Sequence, residues 1–351
     1  MIKYLGSKRT LLDWILETMR SLPNAHTAID LFSGTSRVGH HLKKNGFQVF
    51  SNDLNSYAYC LATCYVQANL HEHVEEATKI IAELNNLPGY HGYFTETFCV
   101  QSRFFQEKNG KKIDAIRDWI EAQNFTWELK AILLVSLMEA ADRVDSTCGL
   151  QMAFLKSWSP RSHNDLEMKM PEMVPQTPTG KSMAYHGDAV EIIKQLQADI
   201  AYLDPPYNQH KYLGNYHIWE TLIKWDKPEF YGIACKRQDV RDHKSVFNGR
   251  KQIHDAMRSV IANTKAKYIV VSFNNEGYIT KDEMIDILSS RGKVFVREKS
   301  FKRYIGAQIG IYNQDGVAVG DISHTKNLEY LFVLSTDGTD LSSVLSTLVS
   351  A

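Results

Sequence analysis

The spacing of apolar residues divides the chain into three stretches. Between residues 8 and 21, Leu11, Leu12, Ile15 and Met19 recur at helical spacing and predict an amphipathic helix. A strand, Ala28–Phe32, follows. Next come a loop of small residues, Ser33–Ser36, and a helix, Val38–Asn45, with Gly46 as its C-cap. A second strand, Gln48–Ser51, runs on to Asp53. Two strands flanking a helix within about thirty residues indicate a βαβ unit and so a mostly parallel sheet. From about residue 70 strand patterning stops. Helices are predicted at 72–85, 111–122 and 127–143, and 144–182 is an irregular stretch rich in Pro, Ser, Met and charge. Apolar β-rich runs then return as "DIAYLD" (199–204), "KYIVVSF" (267–273), "KVFVREKSF" (293–301) and "LEYLFVLS" (328–335), with helices at 216–225 and 281–290. The last two runs, joined by a Gly-containing loop at 305–327, are expected to pair antiparallel at the sheet edge. The expected fold is α/β: a Rossmann-like, mostly parallel sheet with an antiparallel edge strand, formed by 1–70 and 183–351, plus a largely helical insert at 71–182.

Composition narrows the class. A chain of 351 residues suits one large or two medium domains, and 44% hydrophobic with 23% charged residues is ordinary for a soluble globular protein. No run approaches the ~20 apolar residues of a membrane helix, and "MIKYLGSKRTLL" is too polar for a secretory signal. Cys60, Cys64, Cys99, Cys148 and Cys235 are scattered without zinc-finger spacing. Free thiols in a reducing cytoplasm, and no metal, are expected. A net charge of zero does not by itself point to nucleic acid. Charge is nevertheless clustered. Residues 236–251 carry six Lys/Arg against two Asp, and 297–303 carry four against one Glu.

Candidate chemistry lies at the carboxyl ends of the strands, where open α/β sheets bind ligands. The first strand leads into Ser33, Gly34, Thr35 and Ser36, a loop that lets a carboxylate or phosphate approach backbone N–H groups at a helix start. The second strand ends at Asp53, a position suited to ribose hydroxyls. "HGDA" (186–189) presents Asp188, and "DIAYLDPPY" ends its strand on Asp204. The loop is not G-x-G-x-x-G, so a dinucleotide is not specifically indicated. S-adenosylmethionine, with its ribose, adenine and carboxylate, fits both ends of the crevice. After Asp204, Pro205 and Pro206 cannot donate to a ladder, so the strand must open into a rigid loop.

The order "IKYLGSKR" (2–9), "DLFSGTSRVG" (30–39), an insert, then "DPPY" (204–207) resembles the DNA adenine-N6 methyltransferases of the D12, or alpha, class. "NYHIWETL" (215–222), "VVSFNNEG" (270–277) and "KRYIGAQ…TKNLEYLFVLS" (302–335) are similar to that family's later motifs. One departure is "FSGTSRVG", where many relatives have a second Gly or Ala in place of Thr35 or Ser36. The resemblance implies a class I S-adenosylmethionine-dependent methyltransferase fold and methyl transfer to a flipped-out adenine in duplex DNA. It also implies a role in a restriction–modification system, in the cytoplasm of a bacterium or encoded by a phage, with a separately encoded cognate endonuclease as a further partner. Asp204 and the Pro205 carbonyl would accept hydrogen bonds from N6, Pro206 would stiffen the turn, and Tyr207 would stack on the flipped base. Tyr4, Lys8, Asp30, Phe32, Ser33, Gly34, Thr35, Ser36, Asp53, Asp188 and Asp204 would form the cofactor pocket. Within it, Tyr4 and Lys8 would sit at the methionine end, and Asp30 on the methionine amino group. Asn215, Tyr216 and Trp219 would shape the base pocket.

The resemblance places sequence reading in the insert, where Lys156, Arg161 and Asn164 are residue types that contact base edges. Lys236, Arg237, Arg241 and Lys244 of the basic loop are expected to clamp phosphates. Two other readings fit the same motifs: an rRNA or tRNA adenine methyltransferase, and a catalytically silent DNA-binding relative. The size of the insert weighs against the first, and the intact DPPY and cofactor loop against the second. N4-cytosine transfer is chemically adjacent, but a Ser usually stands in those enzymes where this chain has Asp204.

Overall fold

Thr27–Asp30 (β1) and Gln48–Asp53 (β2) run parallel, and Arg37–Lys44 (α2) crosses between them as the apolar spacing requires. The computed structural model describes residues 1–209, 211–242, 245–302, 311–312, 318–320 and 326–346. Further strands are Met183–His186 (β3), Gln197–Leu203 (β4), Phe230–Tyr231 (β5), Lys236–Arg237 (β6), Lys265–Asn274 (β7), Val294–Lys302 (β8), Ile311–Tyr312 (β9), Ala318–Gly320 (β10) and Lys326–Ser335 (β11). Seven of them form one sheet in the order β3-β2-β1-β4-β7-β11-β8, while β5–β6 and β9–β10 are separate antiparallel pairs. Only β11 opposes the rest. It lies antiparallel between β7 and β8, so the expected antiparallel pair is present and reaches the sheet edge at β8. Strand order reverses between β1 and β4, which opens the topological crevice at their carboxyl ends.

Both faces of the sheet are covered, which is why its strands read as continuous apolar runs. Leu12–Arg20 (α1) and α2 cover one face, where Leu11, Ile15, Met19, Val38 and Leu42 pack on Ala28, Val49, Ile200, Tyr202 and Val270. Ala189–Ile192 (α8), Ile253–Asn263 (α11) and Lys281–Ser289 (α12) cover the other, against Ile29, Leu31, Ala201, Leu203, Ile269 and Val271. Alternation along β4 thus sends Ile200 and Tyr202 to one core and Ala201 and Leu203 to the other.

A third core is helical. Ser56–Ala62 (α3), Leu70–Asn85 (α4), the single turn Tyr93–Thr95 (α5), Glu107–Glu121 (α6) and Trp127–Val144 (α7) pack with His217–Lys224 (α10), which follows the short Tyr212–Asn215 (α9). Helix α7 is apolar almost all round, with Leu129, Ile132, Leu133, Val135 and Met138 buried, as a central helix should be. Residues before the insert (Tyr57, Leu61), within it (Phe98, Ile116, Leu134) and after it (Tyr216, Trp219, Leu222) share this core. Hydrophobic packing is therefore continuous across residue 70. A last turn, Ser342–Ser346 (α13), follows β11.

Helices α4, α6 and α7 lie within a few residues of their expected spans. Strand β3 and helices α3 and α11 were not anticipated. Helix α11 carries a clear stripe, Ile253, Met257, Val260 and Ile261, next to a basic run that masks it. Lys244 and most of the expected 305–327 loop lie outside the described residues.

Gly39 lets α2 lie almost on the sheet. A Cβ there would meet Ser51 Oγ at 2.8 Å, Val66 Cγ2 at 3.0 Å and Asp30 Oδ2 at 3.1 Å. Gly39→Ala should therefore push α2 off β1 and β2 and cost about 1–3 kcal/mol, measurable by denaturant unfolding. An unchanged midpoint would show that the close approach is not needed.

Candidate active site

The left-handed turn after β1 sets the floor of the site. Gly34 has φ +50° and Ser36 φ +58°, and Ser36 starts α2 without a side-chain cap. No side chain of this turn caps α2, and of its first three N–H groups the Gly39 one is taken by Asp30. Asp53, at the end of β2, holds this turn by accepting from the Gly34 N–H at 2.9 Å on Oδ2. Its Oδ1 accepts from the Asn55 backbone N–H (2.9 Å) and side-chain amide (3.1 Å). A carboxylate offers about four acceptor positions, so Asp53 keeps one for a further donor. Burial raises its pKa.

Asp30, at the end of β1, is buried and accepts from the Gly39 N–H at 3.1 Å. Burial, with Asp204 and Asp53 nearby, pushes its pKa up to about 7, against the opposing pull of the Gly39 N–H. Asp204 follows β4, next to β1 in the sheet, and is pushed up to about 6 by burial and by Glu329, with Lys8 opposing. Lys8 Nζ lies 3.1 Å from Asp204 Oδ1 and 2.5 Å from Glu329 Oε1. Burial disfavours its charge, but the two carboxylates more than offset this and hold its pKa well above the ordinary value. The same ammonium stands 5.9 Å from the centre of the Tyr207 ring.

These residues line one open cleft of about 1170 Å³, counted with the solvent in its mouth. It brings together Tyr4, Lys8, Asp30, Phe32, Ser33, Gly34, Thr35, Asp53, Asp188, Asp204, Pro205, Pro206 and Tyr207. Every expected cofactor or catalytic position except Ser36 lies on its wall. Ser36 is buried just beneath, in the left-handed turn. Asp188 is exposed and caps α8 through the Val190 N–H at 2.8 Å. Lys8, on the cleft wall, reaches the DPPY carboxylate. Tyr4 is sandwiched between Tyr216 (ring centres 4.5 Å apart, 14°) and Tyr212 (5.3 Å, 12°), and it would touch any Cβ on Gly34.

Several wall residues were not singled out from sequence. Phe247 meets Phe32 edge-on at 5.0 Å, and Asn248 donates to the Asn208 carbonyl. Glu329 lies just behind the wall. Its only sequence signal was an acid inside the apolar run "LEYLFVLS". Trp219 is a core residue beside Phe105.

The expected DNA contacts divide. Lys156, Asn164 and Arg241 are exposed, with Arg241 stacked 3.9 Å over Tyr231. Lys236 is half-buried. Arg161 is committed to Asp145 (2.6 Å) and the Thr147 carbonyl (2.6 Å), so it fastens the irregular exit of the insert. Arg237 departs from the phosphate-clamp expectation. It is 2% exposed and forms paired contacts to Asp226 (2.7 Å) and Asp239 (2.8–3.0 Å), leaving no charge for a phosphate.

Comparison with known proteins fixes the family. The sequence model of the D12 class N6 adenine-specific DNA methyltransferases matches residues 4–287. The chain belongs to this family. The chain is 30% identical to the type II methyltransferase M.NlaIII of Neisseria lactamica over 86% of its own length and 92% of the relative's. It is 28% identical to M.CviAII of Paramecium bursaria Chlorella virus 1 over 90% and 95%. With M.FokI of Planomicrobium okeanokoites it shares 32% identity but spans only 47% of that protein. The matched span runs from Tyr4, so it includes the N-terminal segment, the turn at Gly34 and the DPPY wall of this D12 class chain. No helix among the described residues is long and apolar enough to cross a membrane.

Asp30 gives a direct test of the buried charge. In the folded protein it keeps its proton up to about pH 7, whereas in the unfolded chain it releases it near 3.8. The stability this confers is present below 3.8 and lost as pH rises through 7. Asp30→Asn should therefore raise the melting temperature relative to the parent at pH 8 and raise it clearly less at pH 5, where only part of the loss has accumulated. Equal effects at both values would contradict the assignment.

Proposed function

We propose that the protein is a site-specific adenine-N6 methyltransferase of duplex DNA that uses S-adenosylmethionine. The observation that carries the reading is the meeting of Asp204 and Tyr207 with the Gly34 turn, Asp30 and Asp53 in one cleft at the sheet's switch point. The residues suit the cofactor. Ser33 Oγ and Asn52 Oδ1, both on the wall, are buried without a hydrogen-bond partner among the described residues. Asp53 has one acceptor position to spare for a ribose hydroxyl. Asp30 and Asp188 offer carboxylates to the amino groups at the two ends. When bound, the cofactor supplies an electrophilic methyl group on a sulfonium.

The protein's part is to make a poor nucleophile attack. The adenine amino nitrogen shares its lone pair with the ring and is out of reach inside a duplex, so the base is flipped at a cost of a few kcal/mol. Asp204 accepts from N6–H and draws the lone pair out of conjugation. Pro205 lends its carbonyl as a second acceptor. The prolines hold both in place, so no reorganisation is needed during the reaction. Tyr207, backed by Phe273 at 5.2 Å, offers a face to the flipped ring. Target reading is assigned to the insert with its exposed Lys156 and Asn164, and backbone contact to Lys236 and Arg241. The type II methyltransferases among the relatives support a role in a restriction–modification system, with a separate endonuclease as the partner.

Purified protein with methyl-labelled cofactor should place N6-methyladenine in duplex DNA. Asp204→Ala should lower the rate by at least about 10²-fold while retaining cofactor binding by calorimetry. Transfer of label to RNA but not to DNA would overturn the proposal in favour of an RNA methyltransferase. Tight DNA binding with no cofactor affinity would overturn it in favour of a silent DNA-binding protein.

A further inference from the structure

Glu329 has no place in the mechanism above, yet it is 1% exposed and lies at the heart of the site. It sits on β11, opposite Asn274 of β7 and Lys299 of β8, a position where the rest of "LEYLFVLS" packs apolar surface. Its Oε1 accepts from Ser272 Oγ at 2.7 Å and lies 2.5 Å from Lys8 Nζ. Asp204 holds the same ammonium from the other side at 3.1 Å. The shorter contact is thus to the carboxylate that faces away from the cleft, and the longer one to the carboxylate that faces into it. Two carboxylates share one cation, so the trio carries a net negative charge beside the place where a cationic methyl donor and an amine meet.

An acid this deeply buried is costly unless it is paired. A lysine paired with Asp204 alone would satisfy the burial rule with one ion fewer. A second acid therefore needs a reason. An undivided Lys8–Asp204 pair would leave acceptor positions on Asp204, but the full cation would draw on its negative charge and weaken it as the acceptor for the adenine amino group.

We propose that Glu329 is a positioning residue for methyl transfer: by drawing Lys8 toward itself, it leaves Asp204 fixed in place yet free to accept from N6–H. This rests on the reading of Asp204 as the N6 acceptor. Glu329 acts through Lys8 and does not touch the base. The groups facing Asp204 are Lys8 from the N-terminal segment, Glu329 from β11, Asp30 from β1, Tyr202 and Tyr207 from its own strand and loop, and Tyr212 from α9. Among them Glu329 raises the pKa of Asp204 and Lys8 lowers it.

The test is the single-turnover rate of methyl transfer to duplex DNA as a function of pH. It compares the parent, Glu329→Gln and the double variant Lys8→Met/Glu329→Gln, with Asp204→Ala in parallel. Glu329→Gln keeps the shape and an acceptor for Ser272, and leaves Lys8 wholly to Asp204. Its plateau rate should fall roughly tenfold, below the loss from removing a direct contact. The acid limb of its profile should move to lower pH, and its KM for DNA should stay within about threefold. The double variant removes the buried cation and anion together, so it remains a fair test should the single variant fold poorly. Its acid limb should move the other way, to higher pH. An acid limb at the parental pH in both variants, or a loss confined to KM, would overturn the proposal and reduce Glu329 to a structural partner of Lys8. Full activity of Asp204→Ala would instead overturn the reading of Asp204 itself, so the two failures are distinguishable.

Discussion

One ammonium sits between two carboxylates beneath the cleft, and much of the surrounding structure serves to keep it there. Lys8 is buried, and a buried cation left without partners costs several kcal/mol. Its partners come from the loop after β4 and from β11, so the N-terminal segment, the central strand and the last strand of the sheet must all be in register for the charge to be satisfied. The Tyr207 ring lies against the same cation. The DPPY loop is therefore held electrostatically from below as well as stiffened by its own prolines.

The N-terminal segment is in turn tied down from several directions. Tyr4 is clamped between Tyr212 and Tyr216, and the Leu5 N–H donates to the Tyr216 hydroxyl at 2.6 Å. Lys3 reaches Asp142 and Asp145 at the end of α7, and Arg161 grips the same Asp145. Helix α10 carries the ties further. Glu220 accepts from the Ser56 and Tyr57 N–H groups at the start of α3, and buried Arg117 of α6 donates to the Leu222 and Ile223 carbonyls. The insert is thus joined to the N-terminal segment, α3 and α10 by ion pairs and helix-end contacts as well as by a shared core. The insert is thereby held in fixed relation to the cleft.

Most of the cleft was legible in the sequence because its chemistry is local. Asp53 ends a strand, Gly34 lies in a turn that needs positive φ, and Asp204 precedes two prolines; each is readable from a few neighbours. Residues whose role depends on distant partners were not legible. Arg237 lies in a basic run and reads as a surface charge, but Asp226 and Asp239 close on it from either side in sequence and in space. Arg161 meets Asp145 only because the irregular segment folds back on the end of α7. Glu329 interrupts an apolar strand, and nothing nearby names its partner, which lies 321 positions earlier. For Trp219, aromatic character was equally compatible with a base pocket and a core, and packing against Phe105 decided it.

The placement of β11 bears on how the protein is made. Translation delivers Lys8 321 positions before Glu329, and β11 must slot between β7 and β8, which precede it in the chain. Until it does, β7 and β8 are left without the neighbour that joins them, and Lys8 lacks its closest counter-ion. Contacts of such long sequence separation form late and slowly. A nascent chain of this protein can build its helical core and the β1–β2–β4 crevice during synthesis, yet the charge arrangement beneath Asp204 is completed only once β11 has emerged. The charge arrangement of the cleft is in this sense closed last, by a strand made 321 positions after the lysine it holds.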